Sequence, residues 1–241
     1  MEKLLKEVKL LKYAFVDYRI SCQEKYNLEN LGCTVIICPP SALLYPAICG
    51  HPDILIHLLN DDKILVHKDL DESFIQLLKK INLNIEYTVN SLNKSYPYDI
   101  CLNAVSLKDY FIHNLNFTDK TLLANFSSKK LINVKQGYTK CSTAIINDNA
   151  IITSDLSIAK ALEKEPIDVL LLPPGDILLP GLNYGFIGGT CGKLEDTIVF
   201  YGTLEKYKYG SLVLDFLHKH KVKPFYLSDS PLIDRGSILI L

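Results

Sequence analysis

Apolar and polar positions repeat along this chain at long range. Asp53–His67 lies without a gap over Asp99–His113, a shift of 46 residues, with Asp first and His last in both. Each stretch is two short apolar runs separated by Asn, Asp, Ser or Lys. Cys141–Asp155 repeats the apolar-turn-apolar pattern, with Asn147-Asp148 over Asn60-Asp61, and Phe186–Tyr201 carries it a fourth time. Recurrence of this kind marks a repeat architecture. Strand-length apolar runs bounded by turn formers predict a β-hairpin in each copy.

A helix-like stretch follows each hairpin. Asp71 is placed to cap the first, with Phe74, Leu77, Leu78 and Ile81 on its apolar face. Thr118 is placed to cap 119–126 and Asp155 to cap 156–164, and the fourth helix is predicted over 210–220. A third strand then closes each unit, at 84–88, 130–134, 168–172 and 223–227. The ends supply the parts of a fifth. Residues 13–17 read as a second strand, 21–28 as a helix and 33–38 as a third strand, while 236–241 at the C-terminus read as the missing first strand. The expected fold is α/β: five ββαβ units in a pseudo-fivefold propeller, one unit split between the termini, forming a single domain over residues 1–241. Closure of the ring covers each unit's apolar face with a neighbour.

Five strand-strand-helix-strand units with one split between the ends resemble the pentein fold. Members of that fold modify guanidino groups: arginine and agmatine deiminases, dimethylarginine dimethylaminohydrolase and amidinotransferases. A ribosome anti-association translation factor uses the same fold without catalysis. The runs Gln136–Ser142 and Tyr184–Lys193 further resemble an uncharacterised clostridial family assigned to it.

Composition narrows the partners. The 241 residues are 48% hydrophobic with a formal net charge of −1, so no long-range attraction to nucleic acid or an anionic membrane is expected. Apolar runs are strand-length, and the opening residues carry charges every few positions, unlike a membrane span or signal peptide. Seven cysteines without any Cys-x-x-Cys motif fit reduced thiols in the cytoplasm. No His or Cys spacing matches a metal motif, and no cofactor is expected.

The resemblance implies that turns leading into the first strands face a common pocket. His51 and Asp53, Asp99, Lys140 and Cys141, Gly188-Gly189-Thr190-Cys191, and Asp229 with Asp234 occupy such turns. The resemblance implies that Asp53 grips a guanidinium, as carboxylates do through paired N–H bonds; Asp99 fills the equivalent slot one unit on, so the repeat offers a second carboxylate to hold a cation between the two. It also implies a nucleophilic Cys near the C-terminus and a His early in the fourth unit. The chain departs from both: 234–241 contain no Cys, and 183–186 read Asn-Tyr-Gly-Phe. Cys191 is the substitute nucleophile, because flexible glycine backbone and Lys193 would lower a thiol pKa, with His51 as its base. Gly188, Gly189 and Lys193 also admit an anion-binding nest. Cys141 reads as a core residue on a first strand, and Ser237 as a serine with no base near it in sequence. The expected function is a hydrolase or transferase acting on a guanidino or amidine small molecule with a non-standard active site. The alternative is a non-catalytic binding module for a metabolite or protein partner, which the missing Cys and His favour.

Overall fold

A computed structural model describes residues 12–241; the charged opening segment, 1–11, lies outside them. The elements follow the chain as β1 (Lys12–Asp17), α1 (Cys22–Asn30), β2 (Cys33–Cys38), a single turn α2 (Pro52–Leu55), β3 (Ile56–Asn60), β4 (Lys63–Val66), α3 (Glu72–Lys80) and β5 (Asn84–Tyr87). Next come β6 (Val105–Ser106), β7 (Tyr110–His113), α4 (Lys120–Asn125), β8 (Lys130–Asn133), β9 (Thr143–Asn147), β10 (Ala150–Thr153), α5 (Leu156–Leu162) and β11 (Asp168–Leu171). The chain ends with β12 (Cys191–Leu194), β13 (Thr197–Phe200), α6 (Gly210–Lys219), β14 (Lys223–Tyr226) and β15 (Leu239–Ile240).

These strands form five separate three-stranded sheets. In each, the middle strand pairs antiparallel with the first and parallel with the third, so every unit is ββαβ. The split unit obeys the rule across the ends of the chain. β15 is antiparallel to β1, with Phe15 opposite Leu239, and β1 is parallel to β2. The fold is the five-unit α/β arrangement expected from the repeat.

Middle strands are the most deeply buried because each is flanked on both edges. All four residues of β7 and all four of β10 are buried. Helices cover the sheets through narrow apolar faces. Phe74, Ile75 and Leu78 of α3 are buried, whereas Leu77 is exposed. The buried face is therefore rotated by part of a turn from the expected one, away from Leu77 and toward Ile75. Capping also differs at α4. Asp119, not Thr118, accepts the Thr121 and Leu122 amides, which frees the Thr118 hydroxyl to meet His113 Nδ1 at 2.7 Å.

The predicted C-terminal strand is shortened to two residues. Gly236 and Ser237 adopt φ of +70° and +67°, because the backbone must turn past His51. A Cβ on Gly236 would lie 2.2 Å from the His51 Cβ. Only glycine allows that approach without displacing His51.

Candidate active site

The segments that lead into the five first strands converge: 234–238, 51–53, 99–103, 138–142 and 186–190. One repeated structural position therefore contributes several times to a single place, which residues remote in sequence share.

Asp53 sits there at 2% exposure, in the α2 turn after Pro52 at the first helical position. Its carboxylate accepts from the Ser237 hydroxyl at 2.6 Å and from the Cys141 thiol at 3.1 and 3.2 Å. The buried Asn103 organises the next layer. Its Oδ1 accepts the amides of Lys140 and Cys141 at 2.8 and 3.1 Å. Its Nδ2 lies 3.2 Å from the Asp53 carbonyl and 3.3 Å from Cys141 Sγ. Burial and the neighbouring Asp53 push the Cys141 thiol well above its ordinary pKa.

Cys141, His51 and Asp234 line one cavity of about 210 Å³ with Tyr45, Tyr138, Tyr184 and Phe186. The Phe186 and Gly236 amides donate to the Asp234 carboxylate at 2.8 and 3.0 Å, yet burial raises its pKa. His51 Nδ1 lies 4.0 Å from Asp234, too far for a hydrogen bond. Behind the aromatic wall, the Tyr138 hydroxyl donates to Asp99 at 2.5 Å. Because that proton is committed, Tyr45 is the donor in its 3.1 Å contact with Tyr138. The second Asp99 oxygen is buried without a partner, and desolvation raises the Asp99 pKa. A small aromatic cavity backed by buried carboxylates favours a compact cation.

The other expected residues are distributed differently. Lys140, Cys191 and Lys193 line a second cavity of about 230 Å³ that shares no lining residue with the first. The Lys140 ammonium donates to Ser237 at 2.9 Å. The chain Lys140–Ser237–Asp53–Cys141 thus runs from one cavity to the other, and Ser237 has gained a basic neighbour that sequence proximity did not show.

The structure does not assemble the expected Cys191–His51 pair. The two residues line different cavities, Cys191 faces the Ile187 and Gly188 carbonyls, and burial pushes its thiol up to about 12. Glycine flexibility therefore does not activate this thiol. The nest reading also fails at Gly189, whose amide donates to the Cys141 carbonyl. Gly189 instead permits close packing, since a Cβ there would fall 1.8 Å from Asp234. Gly188 is likewise a packing position, where a Cβ would lie 2.3 Å from the Lys140 carbonyl oxygen. Lys193 points to the Glu195 carbonyl. Asp229 lies at the surface, paired with Lys206 at 3.0 Å, and does not join the central group.

The sequence put Cys141 among the pocket-facing turns but gave it a core role, and it gave no sign of Asn103. The signal for Cys141 was its place in the same slot as Asp53 and Asp99; placing it on a first strand argued for core instead, but β9 begins at Thr143 and Cys141 lies in the turn before it. Asn103 carried no signal, because its role depends on three segments meeting.

The fold is that of the guanidino-group-modifying enzymes. Agmatine deiminase from C. jejuni superposes with a TM-score of 0.58 at 12% identity, covering 90% of this chain and 86% of the enzyme. A mutant DDAH from Pseudomonas aeruginosa complexed with citrulline gives 0.56 at 9% identity, covering 91% and 92%. SxtG, an amidinotransferase from Microseira wollei in the saxitoxin biosynthetic pathway, gives 0.53 at 10%, covering 90% and 88%. No curated protein matches the sequence. The chain belongs to the family of unknown function DUF6873, whose model matches residues 15–239. Among the described residues, no helix is long and apolar enough to cross a membrane.

Proposed function

We propose that the protein is a hydrolase or transferase for a small guanidino or amidine compound, working through a non-standard active site with Cys141 as nucleophile. The observation that supports this most is the meeting of Cys141, His51 and Asp234 at one end of the aromatic cavity, with their candidate atoms within 4.8 Å of one another. The solved neighbours with the same fold are named for agmatine, dimethylarginine and amidino-group chemistry.

The cation serves two purposes in this reading. Its charge offsets Asp234 and Asp99, which burial holds in a costly environment when ionised. It also stabilises a thiolate at Cys141, whose thiol donates to Asp53 in the free protein. A cation close to sulfur lowers the thiol pKa. The thiolate then attacks the central amidine carbon, and His51 moves a proton to the departing nitrogen. Asp53 accepts the thiol proton, and Asn103 holds the sulfur in place.

The test compares labelling of Cys141 by the cationic electrophile 2-chloroacetamidine and by neutral 2-chloroacetamide, with adducts located by mass spectrometry. Faster labelling by the cation, suppressed in Asp234→Asn, supports the reading. Equal rates overturn it. Release of ammonia or urea from a panel of guanidines and amidines then identifies the reaction. Ligand-induced thermal stabilisation without turnover would instead support the binding-module alternative, which the thiol's commitment to Asp53 favours.

A further inference from the structure

His51 is the least satisfied polar side chain of the site. It is 1% exposed, and neither ring nitrogen has a hydrogen-bond partner. Buried polar groups in folded proteins are nearly always partnered, so an imidazole with both nitrogens free calls for a missing one. The groups around it are suited to ligate a metal. Its nearest ring nitrogen, Cys141 Sγ and an Asp234 oxygen all lie within 4.8 Å of one another, and all three residues are buried.

The surroundings hold these ligands in position. The backbone amides of Phe186 and Gly236 each donate to one Asp234 oxygen, leaving further lone pairs free. Asn103 fixes the Cys141 backbone through Oδ1 and approaches its sulfur through Nδ2. Such outer contacts orient first ligands and sustain affinity. One imidazole, one thiol and one carboxylate select a borderline-soft ion, since Mg²⁺ and Ca²⁺ require oxygen-rich sites. Three protein ligands beside a cavity match the open type of zinc site.

We propose that His51, Cys141 and Asp234 form a three-ligand site for Zn²⁺, with room in the aromatic cavity for a fourth ligand. On binding, the Cys141 S–H proton passes to solvent as the S–Zn bond forms. The thiolate and carboxylate together balance the charge of the ion. The three positions are too far apart in sequence to make a spacing motif, which is why no metal cluster was legible there. A coordinated sulfur is not free to attack carbon, so metal occupancy and covalent chemistry at Cys141 exclude each other, and the ion acts as an off switch. The metal site itself does not rest on the guanidino reading.

The experiment uses the full chain, reduced, stripped with a chelator and reloaded with Zn²⁺ alone. Bound metal is counted by mass spectrometry after gel filtration, and Co²⁺ substitution is followed in the near ultraviolet for a thiolate charge-transfer band. One ion per chain is expected, with the Co²⁺ band lost in Cys141→Ser and kept in Cys22→Ser and Cys191→Ser. His51→Gln and Asp234→Asn should each weaken binding by at least about 10-fold. Circular dichroism of each variant separates ligand loss from misfolding. No retained ion, or retention unchanged by all three ligand substitutions, overturns the site. Selective labelling of metal-free Cys141 by 2-chloroacetamidine would then leave the proposed function standing. Conversely, tight Zn²⁺ binding with no selective labelling would remove that function and keep the metal site.

Discussion

Ser237 donates its hydroxyl proton to Asp53 across 2.6 Å, linking residues 184 positions apart in the chain. The contact joins the turn before the last strand to the turn before β3. Ser237 also receives the Lys140 ammonium at 2.9 Å, while its own backbone sits at φ +67°. A left-handed serine persists only where its surroundings hold it there.

Two substitutions separate those effects. Ser237→Ala removes the hydroxyl from buried Asp53 and keeps the backbone strain; a loss of about 2 kcal/mol is expected. Ser237→Gly removes the same hydroxyl and relieves the strain, so it should be less destabilising by about 1 kcal/mol. Urea midpoints at unchanged slope measure both. Equal losses would show that the positive φ carries no strain.

Gly189 makes a steric prediction. An alanine Cβ would fall 1.8 Å from an Asp234 oxygen, so either the carboxylate or the backbone must move. Gly189→Ala should cost roughly 2 kcal/mol or more. It should also abolish thermal stabilisation by amidine ligands, because Asp234 is displaced from the cavity. A variant with wild-type ligand response would show that Asp234 relaxes without consequence.

Asp99 should trade stability against binding. Desolvation raises its pKa, so its ionised form is costly in the folded state. Asp99→Asn removes that charge while keeping an acceptor for Tyr138; stability at neutral pH should hold or rise. Affinity for a cationic ligand should fall by roughly 10-fold, the equivalent of about 1.4 kcal/mol. Calorimetric titration beside urea unfolding distinguishes this from simple misfolding, which would lower both.

The buried histidines set an acid limit. Desolvation lowers His57 and His67 to about 4 and His113 to about 3, against about 6.5 when unfolded. The unfolded chain therefore binds these protons first. Their contribution is complete above pH 6.5 and is lost as pH falls through the window down to 4 and then 3. For His57 alone the loss amounts to about 3 kcal/mol. Asp99 and Asp234, with raised values, act in the opposite sense. His57→Gln should flatten the stability profile between pH 6.5 and 4, whatever its offset at neutral pH. An unchanged slope would mean that His57 is solvated.

Local pattern determined the units. Alternating apolar runs, turn residues and caps such as Asp71 and Asp155 act over a few positions, and the structure keeps their strands and helices nearly where periodicity put them. The split unit was legible too, because leftover strand and helix signals at the two ends completed a repeated pattern. Tertiary structure decided the site. Cys141 is one small residue just before a strand, and only the approach of Asp53, Asn103, His51 and Asp234 distinguishes it from core. Cys191 has a flexible, lysine-flanked setting in sequence, yet burial raises its pKa. Strand formation depends on neighbouring residues; reactivity depends on burial and charge at one point, which only the meeting of distant segments sets.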